Sequence, residues 1–187
     1  MKKIFKILTL ILFISLSSAC ALPFQSTKYP AWKTKGILES YTLVDGRVVG
    51  GWLGTTINEK VSAKWYDFTV NNIEELSEYE GYKANDNKKL IHASITITNT
   101  SDKDVYLFED DFALIWNLEK DDRSYVSSMS AYTDTMLVNE MVIAIGETKT
   151  IDTLYEIDSS IKKPMALYYY EQYSDGQRGN KYYIYLK

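Results

Sequence analysis

Beyond about residue 60 the chain consists of short runs in which apolar and polar residues alternate, the period of strands with one buried face. Lys64 to Val70 places Tyr66, Phe68 and Val70 on one side and Trp65, Asp67 and Thr69 on the other. Lys89 to Thr100 is the clearest case, with Ile91, Ala93, Ile95 and Ile97 opposed to His92, Ser94, Thr96 and Thr98. Val105 to Phe108 and Phe112 to Trp116 form two more strands, split by Glu109-Asp110-Asp111; Phe112, Leu114 and Trp116 share a face. Thr148 to Ile157, Met165 to Tyr170 behind Pro164, and a last run with Tyr182, Ile184 and Leu186 complete the set. Turn residues punctuate them at Asn99 to Asp104, Asp121 to Ser124, Gly146-Glu147, Asp175-Gly176 and Gly179-Asn180. Asn72 with Glu75 fits the cap of a short helical turn over Ile73 to Tyr79, or an irregular extension. Glu80 to Lys89 reads as a surface loop, and Asp134 to Met141 as helix or loop. Strands about ten residues apart with no long helix predict an all-β antiparallel sandwich over residues 61–187.

Upstream, Asp45-Gly46 between two β-rich runs is a hairpin signal, because both residues tolerate positive φ. Gly50, Gly51 and Gly54 interrupt the second run, so residues 39–60 form a hairpin flap or the first edge strands. Tyr41 and Trp52 there would line a binding lip or pack on the sandwich. The first twenty residues are different in kind. Lys2, Lys3 and Lys6 precede the apolar run Ile7 to Leu16, then Ser17-Ser18-Ala19-Cys20. That is the form of a secretory signal, and it is too short for a membrane-spanning helix of about twenty residues. The small residues before Cys20 resemble the lipobox of bacterial lipoproteins, although Ser17 stands where that family prefers Leu. The resemblance implies removal of residues 1–19 and a diacylglyceryl group on Cys20, whose two acyl chains supply the two signals stable anchoring needs. Residues 20–38, with Pro23, Pro30 and no apolar period, then form a lipid-anchored tether. About fifteen to twenty flexible residues span roughly 20–25 Å, enough to lift a domain off the bilayer.

Charge narrows the partners. The chain has 21 Lys and Arg against 25 Asp and Glu; without the three leader lysines the balance is 18 to 25, a net charge of −7. Nucleic acid, which is held by clustered Lys and Arg, is excluded, and an acidic body does not adhere to anionic lipid. Membrane contact falls to Cys20 alone. With one cysteine there is no intrachain disulfide, and with one histidine, His92, no histidine cluster for a transition metal. His92 lies mid-strand and is expected on a solvated sheet face, not in a Ser-His-Asp set. The acids Glu109, Asp110, Asp111 and Glu119, Asp121, Asp122 flank a strand of about 17 Å and do not follow a calcium-loop spacing. They read as a solvated rim, with a weak calcium site at the first group left open. No phosphate-cradling loop, metal set, cofactor or catalytic set is expected.

Tyrosine is the compositional oddity: sixteen in all, half of them between Tyr155 and Tyr185. Neighbours in Tyr168-Tyr169-Tyr170 and Tyr182-Tyr183 must point to opposite sheet faces. Rings outside the core offer a large rigid contact area, so Tyr168, Tyr170, Tyr183, Tyr185 and Trp52 are the candidate binding face. The plainer role is strand formation on a solvated face.

The order Tyr66-x-Phe-x-Val70, Ile91-x-Ala-x-Ile-x-Ile-x-Asn99, Phe112-x-Leu114, Tyr125, Ile145-Gly-Glu147, Leu154-Tyr-x-Ile157 and Ile184-x-Leu186 resembles the telokin-like, immunoglobulin-like domain of Gram-positive lipoproteins. That family is similar in fold to a secreted mycobacterial immunoprotective antigen. The resemblance covers residues 55–187, differs in having Ile145-Gly146 where Pro-Gly is common, and implies an immunoglobulin-like sandwich without a catalytic signature. The expected protein is a non-enzymatic, lipid-anchored extracytoplasmic binding module on the cell membrane, with a protein or cell-wall polymer as ligand. The alternatives are a structural spacer or accessory subunit of an envelope complex, and more remotely a hydrolase of cell-wall glycans using paired acids.

Overall fold

The computed structural model describes residues 36–38, 40–118, 124–129, 133–138 and 140–186. The signal, Cys20, most of the tether and the acids Glu119, Asp121 and Asp122 lie outside them. In chain order the strands are β1 (Gly36–Leu38), β2 (Tyr41–Thr42), β3 (Val48–Val49), β4 (Trp52–Thr56), β5 (Val61–Ser62), β6 (Tyr66–Leu76), β7 (Glu78–Tyr79) and β8 (Tyr82–Lys83). They continue as β9 (Lys88–Asn99), β10 (Val105–Leu107), β11 (Ala113–Trp116), β12 (Ser124–Val126), β13 (Met141–Ile143), β14 (Thr148–Asp158), β15 (Met165–Gln172) and β16 (Arg178–Leu186). No helix occurs among the described residues, so none there is long and apolar enough to cross a membrane.

These strands make an immunoglobulin-like β-sandwich. One sheet has the order β1-β4-β16-β15-β11-β12 and the other β14-β9-β6-β5. Every pair is antiparallel except β4 with β16, which run parallel. Short ribbons β2/β3, β7/β8 and β10/β13 hang from the two sheets. The inner faces carry the alternating residues expected of them: Phe68, Val70, Ile91, Ile95 and Ile97 meet Leu114, Leu167, Tyr169, Tyr182 and Ile184 in one core. At its centre Phe68 lies 5.3 Å from Phe112, 5.7 Å from Tyr169 and 6.1 Å from Tyr182, ring centre to ring centre. Edge-on contacts at these spacings are the favoured aromatic geometry and lock the sheets face to face.

Two bulges set which side chains meet. In β6 the pairs Val70↔Ile95 and Asn72↔Ser94 leave Asn71 extra, so the parity of the strand flips and Glu74 comes to stand beside His92 on the outer face. In β16 two residues, Gly179 and Asn180, oppose the single residue Glu171 of β15. Gly179 and Asn180 therefore belong to a strand and do not form the turn their types suggest. The reason is crowding: a Cβ on Gly179 would sit 2.6 Å from Glu171 Oε2.

Other expectations give way for similar reasons. The stretch Ile73 to Tyr79 is not a helical turn; pairing with β9 continues to Leu76, opposite Leu90, and the chain then folds into β7/β8 around Glu80-Gly81. Part of the anticipated surface loop Glu80 to Lys89 is thus strand. Described residues between Asp134 and Met141 form no helix. Instead Leu137 N–H donates to Asp152 O and Met129 N–H to Leu154 O, laying this segment along the free edge of β14. Gly36–Leu38, within the expected tether, pairs with Gly54, Leu53 and Trp52 of β4. The Asp45-Gly46 turn closes the β2/β3 hairpin through Gly46 N–H donating to Leu43 O, with Gly46 at φ 84°.

Candidate binding groove

At the end of the sandwich where β9 stops and β6 starts, the two sheets part. A groove of about 850 Å³ opens there. Tyr66, first residue of β6, and Tyr169 of β15 form its floor, 5.3 Å apart between ring centres. Trp65, Tyr170 and Tyr173 make one wall; the turn Ser101–Asp104 with Tyr106, Phe108, Asp110 and Asp111 makes the other. Each wall is held from behind. Tyr173 meets Trp65 edge-on at 5.6 Å and exchanges hydrogen bonds with Val48 through its hydroxyl, which donates to Val48 O and accepts from Val48 N–H. The opposite turn is pinned by Asn99, whose amide donates to Lys103 O and to Ile143 O.

The floor is anchored by a buried carboxylate. Glu171 is 2% exposed and accepts from Lys64 N–H at 2.8 Å, Asn180 N–H at 3.0 Å and the Tyr182 hydroxyl at 2.7 Å. Three donors compensate its loss of water, so the group ties β16 and the start of β6 to the bulge. Burial pushes the Tyr169 phenol well above its usual pKa, with Asp111 and Glu171 adding to it. Burial raises Tyr66 in the same way, reinforced by Tyr169, Asp111 and Glu171. Tyr66 is 2% exposed and interacts with the Tyr169 phenol, although among the described residues no atom completes a well-formed hydrogen bond to its hydroxyl.

Asp111 is the half-buried acid of the groove. Its Oδ2 accepts from Phe108 N–H at 2.8 Å, closing the tight turn Phe108–Asp111. Burial pushes its carboxyl up to about 7, against that hydrogen bond and with help from the nearby Asp110 charge. Of the three acids considered for calcium, Asp111 is half-buried with its carboxyl engaged by Phe108 N–H, Asp110 is exposed, and Glu109 uses its carbonyl to accept from Ser128 N–H. Among the described residues no three His, Cys, Asp or Glu side chains are grouped to hold a metal ion.

The five residues of the anticipated aromatic face do come together. Tyr168 stands opposite Tyr183 in the ladder and 5.1 Å from it; Tyr183 stacks on Tyr185 at 6.5 Å, and Trp52 meets Tyr183 edge-on. They share the outer face of the six-stranded sheet with Ile115, Leu118 and Ala166. Tyr183 and Tyr185 are 6% and 7% exposed, so they act as a second packed cluster, while Trp52, Tyr168 and Tyr170 remain half-buried. Tyr170 is the member that also reaches the groove.

Sequence reasoning passed over Tyr106 and Phe108. The β10/β13 ribbon pairs Tyr106 with Val142, and both point to solvent, Tyr106 at 56% exposure, with Phe108 two residues further on. An apolar stripe that is exposed on a two-stranded ribbon is invisible in a local pattern, because the pattern does not tell which face is covered. His92 is the opposite case. It is 8% exposed and not solvated: Nδ1 faces Glu74 Oε1 at 3.1 Å, Nε2 faces Asp152 Oδ1 at 2.9 Å, and the ring stacks on Tyr79 at 4.5 Å. The bulge at Asn71 and the β7/β8 ribbon create that enclosure. Neither leaves a sequence signal.

No family model matches the chain, and no curated protein matches it in sequence. Solved structures do resemble it. The yjhA protein of Bacillus subtilis superposes with a TM-score of 0.52 at 17% identity, over 71% of this chain and 99% of its own. A protein of Listeria monocytogenes EGD-e gives 0.51 at 11% identity, over 84% and 91%. The chain shares their fold. The ycdA protein of Bacillus subtilis strain 168, provisionally assigned as a lipoprotein, gives 0.53 at 14% identity over 68% of this chain; the match spans only 38% of that longer protein. All three come from Gram-positive bacteria, and at these identities the likeness concerns the fold alone.

Proposed function

We propose that this protein is a lipid-anchored extracytoplasmic module of the telokin-like, Gram-positive type that binds a protein or cell-wall polymer without catalysis. The observation that carries the binding role is the groove between Tyr66, Tyr169, Tyr170, Tyr106 and Phe108, a concave aromatic surface with a polar rim at the loop end of a rigid sandwich. The half-buried Trp52, Tyr168 and Tyr170 extend it over the sheet face. A hydrolase reading draws less support: Glu171 is saturated by three donors, and Asp111, the half-buried acid of the groove, already accepts the Phe108 N–H. Membrane attachment rests on Cys20 and its small-residue approach.

Crosslinking and pull-down from intact cells test the binding role. The Tyr106→Ala/Tyr170→Ala protein loses its crosslinked partners while Lys83→Ala keeps them; unchanged partners in the double variant refute the groove. For the anchor, Cys20→Ala releases the protein to the medium. A variant that stays in the membrane fraction contradicts lipid attachment.

A further inference from the structure

Taking the groove as the binding site, its charge and its exposed rings say more about the occupant. We infer that the groove receives a basic peptide segment, with a Lys or Arg side chain reaching past Tyr170 toward Asp111 and apolar flanking residues laid on Tyr106 and Phe108. Four acids line the groove, Asp102, Asp104, Asp110 and Asp111, against one base, Lys103. The other bases nearby are committed to ring faces or to acids. Arg178 lies 4.8 Å over Tyr170, Lys64 lies 5.1 Å over Tyr173, and Arg47 is paired with Asp45 and Asp175. An acid-rimmed pocket with aromatic walls is the environment that favours a cation, through charge and through the negative faces of the rings.

The exposed Tyr106, Phe108 and Val142 along the ribbon suit apolar side chains beside the basic residue, which a peptide has and an amino sugar lacks. This favours peptide over an amine-bearing glycan.

Entry of a cation also couples to protonation. Asp111 faces Asp110 on its own turn and Tyr66 and Tyr169 on the floor, with Glu171 behind them and Asp102, Lys103 and Asp104 lining the same groove. With its carboxyl near 7, Asp111 is about one-tenth ionised at pH 6 and nine-tenths at pH 8. A cation that requires the carboxylate therefore binds about tenfold more tightly at pH 8 than at pH 6.

The test is calorimetric titration of the full-length protein in detergent with acetyl-Val-Lys-Val-Lys-Val-amide, its glutamine counterpart, and tetrameric glucosamine. The lysine peptide is expected to bind at least tenfold more tightly than the glutamine peptide, to gain about tenfold from pH 6 to pH 8, and to lose that pH dependence in Asp111→Asn. Tyr106→Ala weakens binding severalfold at every pH. Equal binding of the two peptides, or binding of the glucosamine tetramer alone, overturns the cationic-peptide assignment. If crosslinking at position 106 still captures a partner in cells, that failure falls on the ligand chemistry only; if it captures none, the groove itself is refuted.

Discussion

Replacing Asp111 with Asn gives the sharpest stability prediction, because the perturbation changes charge and almost nothing else. The amide oxygen can accept the Phe108 N–H as the carboxylate does. In the folded protein the acid holds its proton up to about pH 7, whereas an unfolded Asp releases it near 3.8. The folded state thus binds more protons between those values, and the contribution of Asp111 to stability is fully present below pH 3.8 and is lost as pH rises through 7. At about 1.4 kcal/mol for each pH unit, ionising the group at pH 8 costs about 4 kcal/mol, and roughly 2–3 kcal/mol of that is lost between pH 5 and pH 8. Asp111→Asn removes this term. Urea unfolding of both proteins, followed by tryptophan fluorescence at a series of pH values, is therefore expected to show a variant whose advantage over wild type grows by about 2–3 kcal/mol from pH 5 to pH 8. Any constant effect of the amide cancels in that difference. Stability curves that stay parallel across the range refute the burial of Asp111 as its controlling feature.

Other consequences are simpler to state. Glu171→Ala leaves Lys64 N–H, Asn180 N–H and the Tyr182 hydroxyl without their acceptor and lowers unfolding stability by about 3–5 kcal/mol in the same denaturation assay. Gly179→Ala drives a methyl into Glu171 and costs about 1–3 kcal/mol; a neutral outcome contradicts the close approach at the bulge. His92→Ala frees Glu74 and Asp152 and removes the ring under Tyr79, so amide exchange in Glu78–Lys83 accelerates while the core strands stay protected. Unaltered exchange there shows that the ribbon is held by something other than the histidine.

The strands that alternate cleanly were legible because their partners enforce the same parity. Tyr66, Phe68 and Val70 and the run Ile91 to Ile97 all lie in the core where the period-two pattern puts them. The pattern loses its hold where a single extra residue intervenes. The bulge at Asn71 turned a would-be helical turn into strand and enclosed His92, and the bulge at Gly179-Asn180 made a buried strand from two turn-forming residues. The shared outer face of Trp52, Tyr168, Tyr170, Tyr183 and Tyr185 followed from parity, but the burial of Tyr183 and Tyr185 depends on Ile115 and Leu118, which parity within one strand does not reveal. The groove was hardest to foresee. It joins the ends of β6, β9, β10 and β15, and its acid, Asp111, looked like one of three solvated carboxylates until the turn at Phe108 pointed it inward.

The groove as the binding surface is tested most directly by placing a photoreactive residue at position 106 and, as control, at position 83 on the β7/β8 ribbon. Lys83 lies at the other end of β9, whose twelve residues separate the two sites by roughly 35 Å. Irradiated in intact cells, position 106 is predicted to yield a discrete crosslinked product that Asp111→Asn diminishes, and position 83 none. Equal products at both positions, or a product at 83 alone, contradict the assignment.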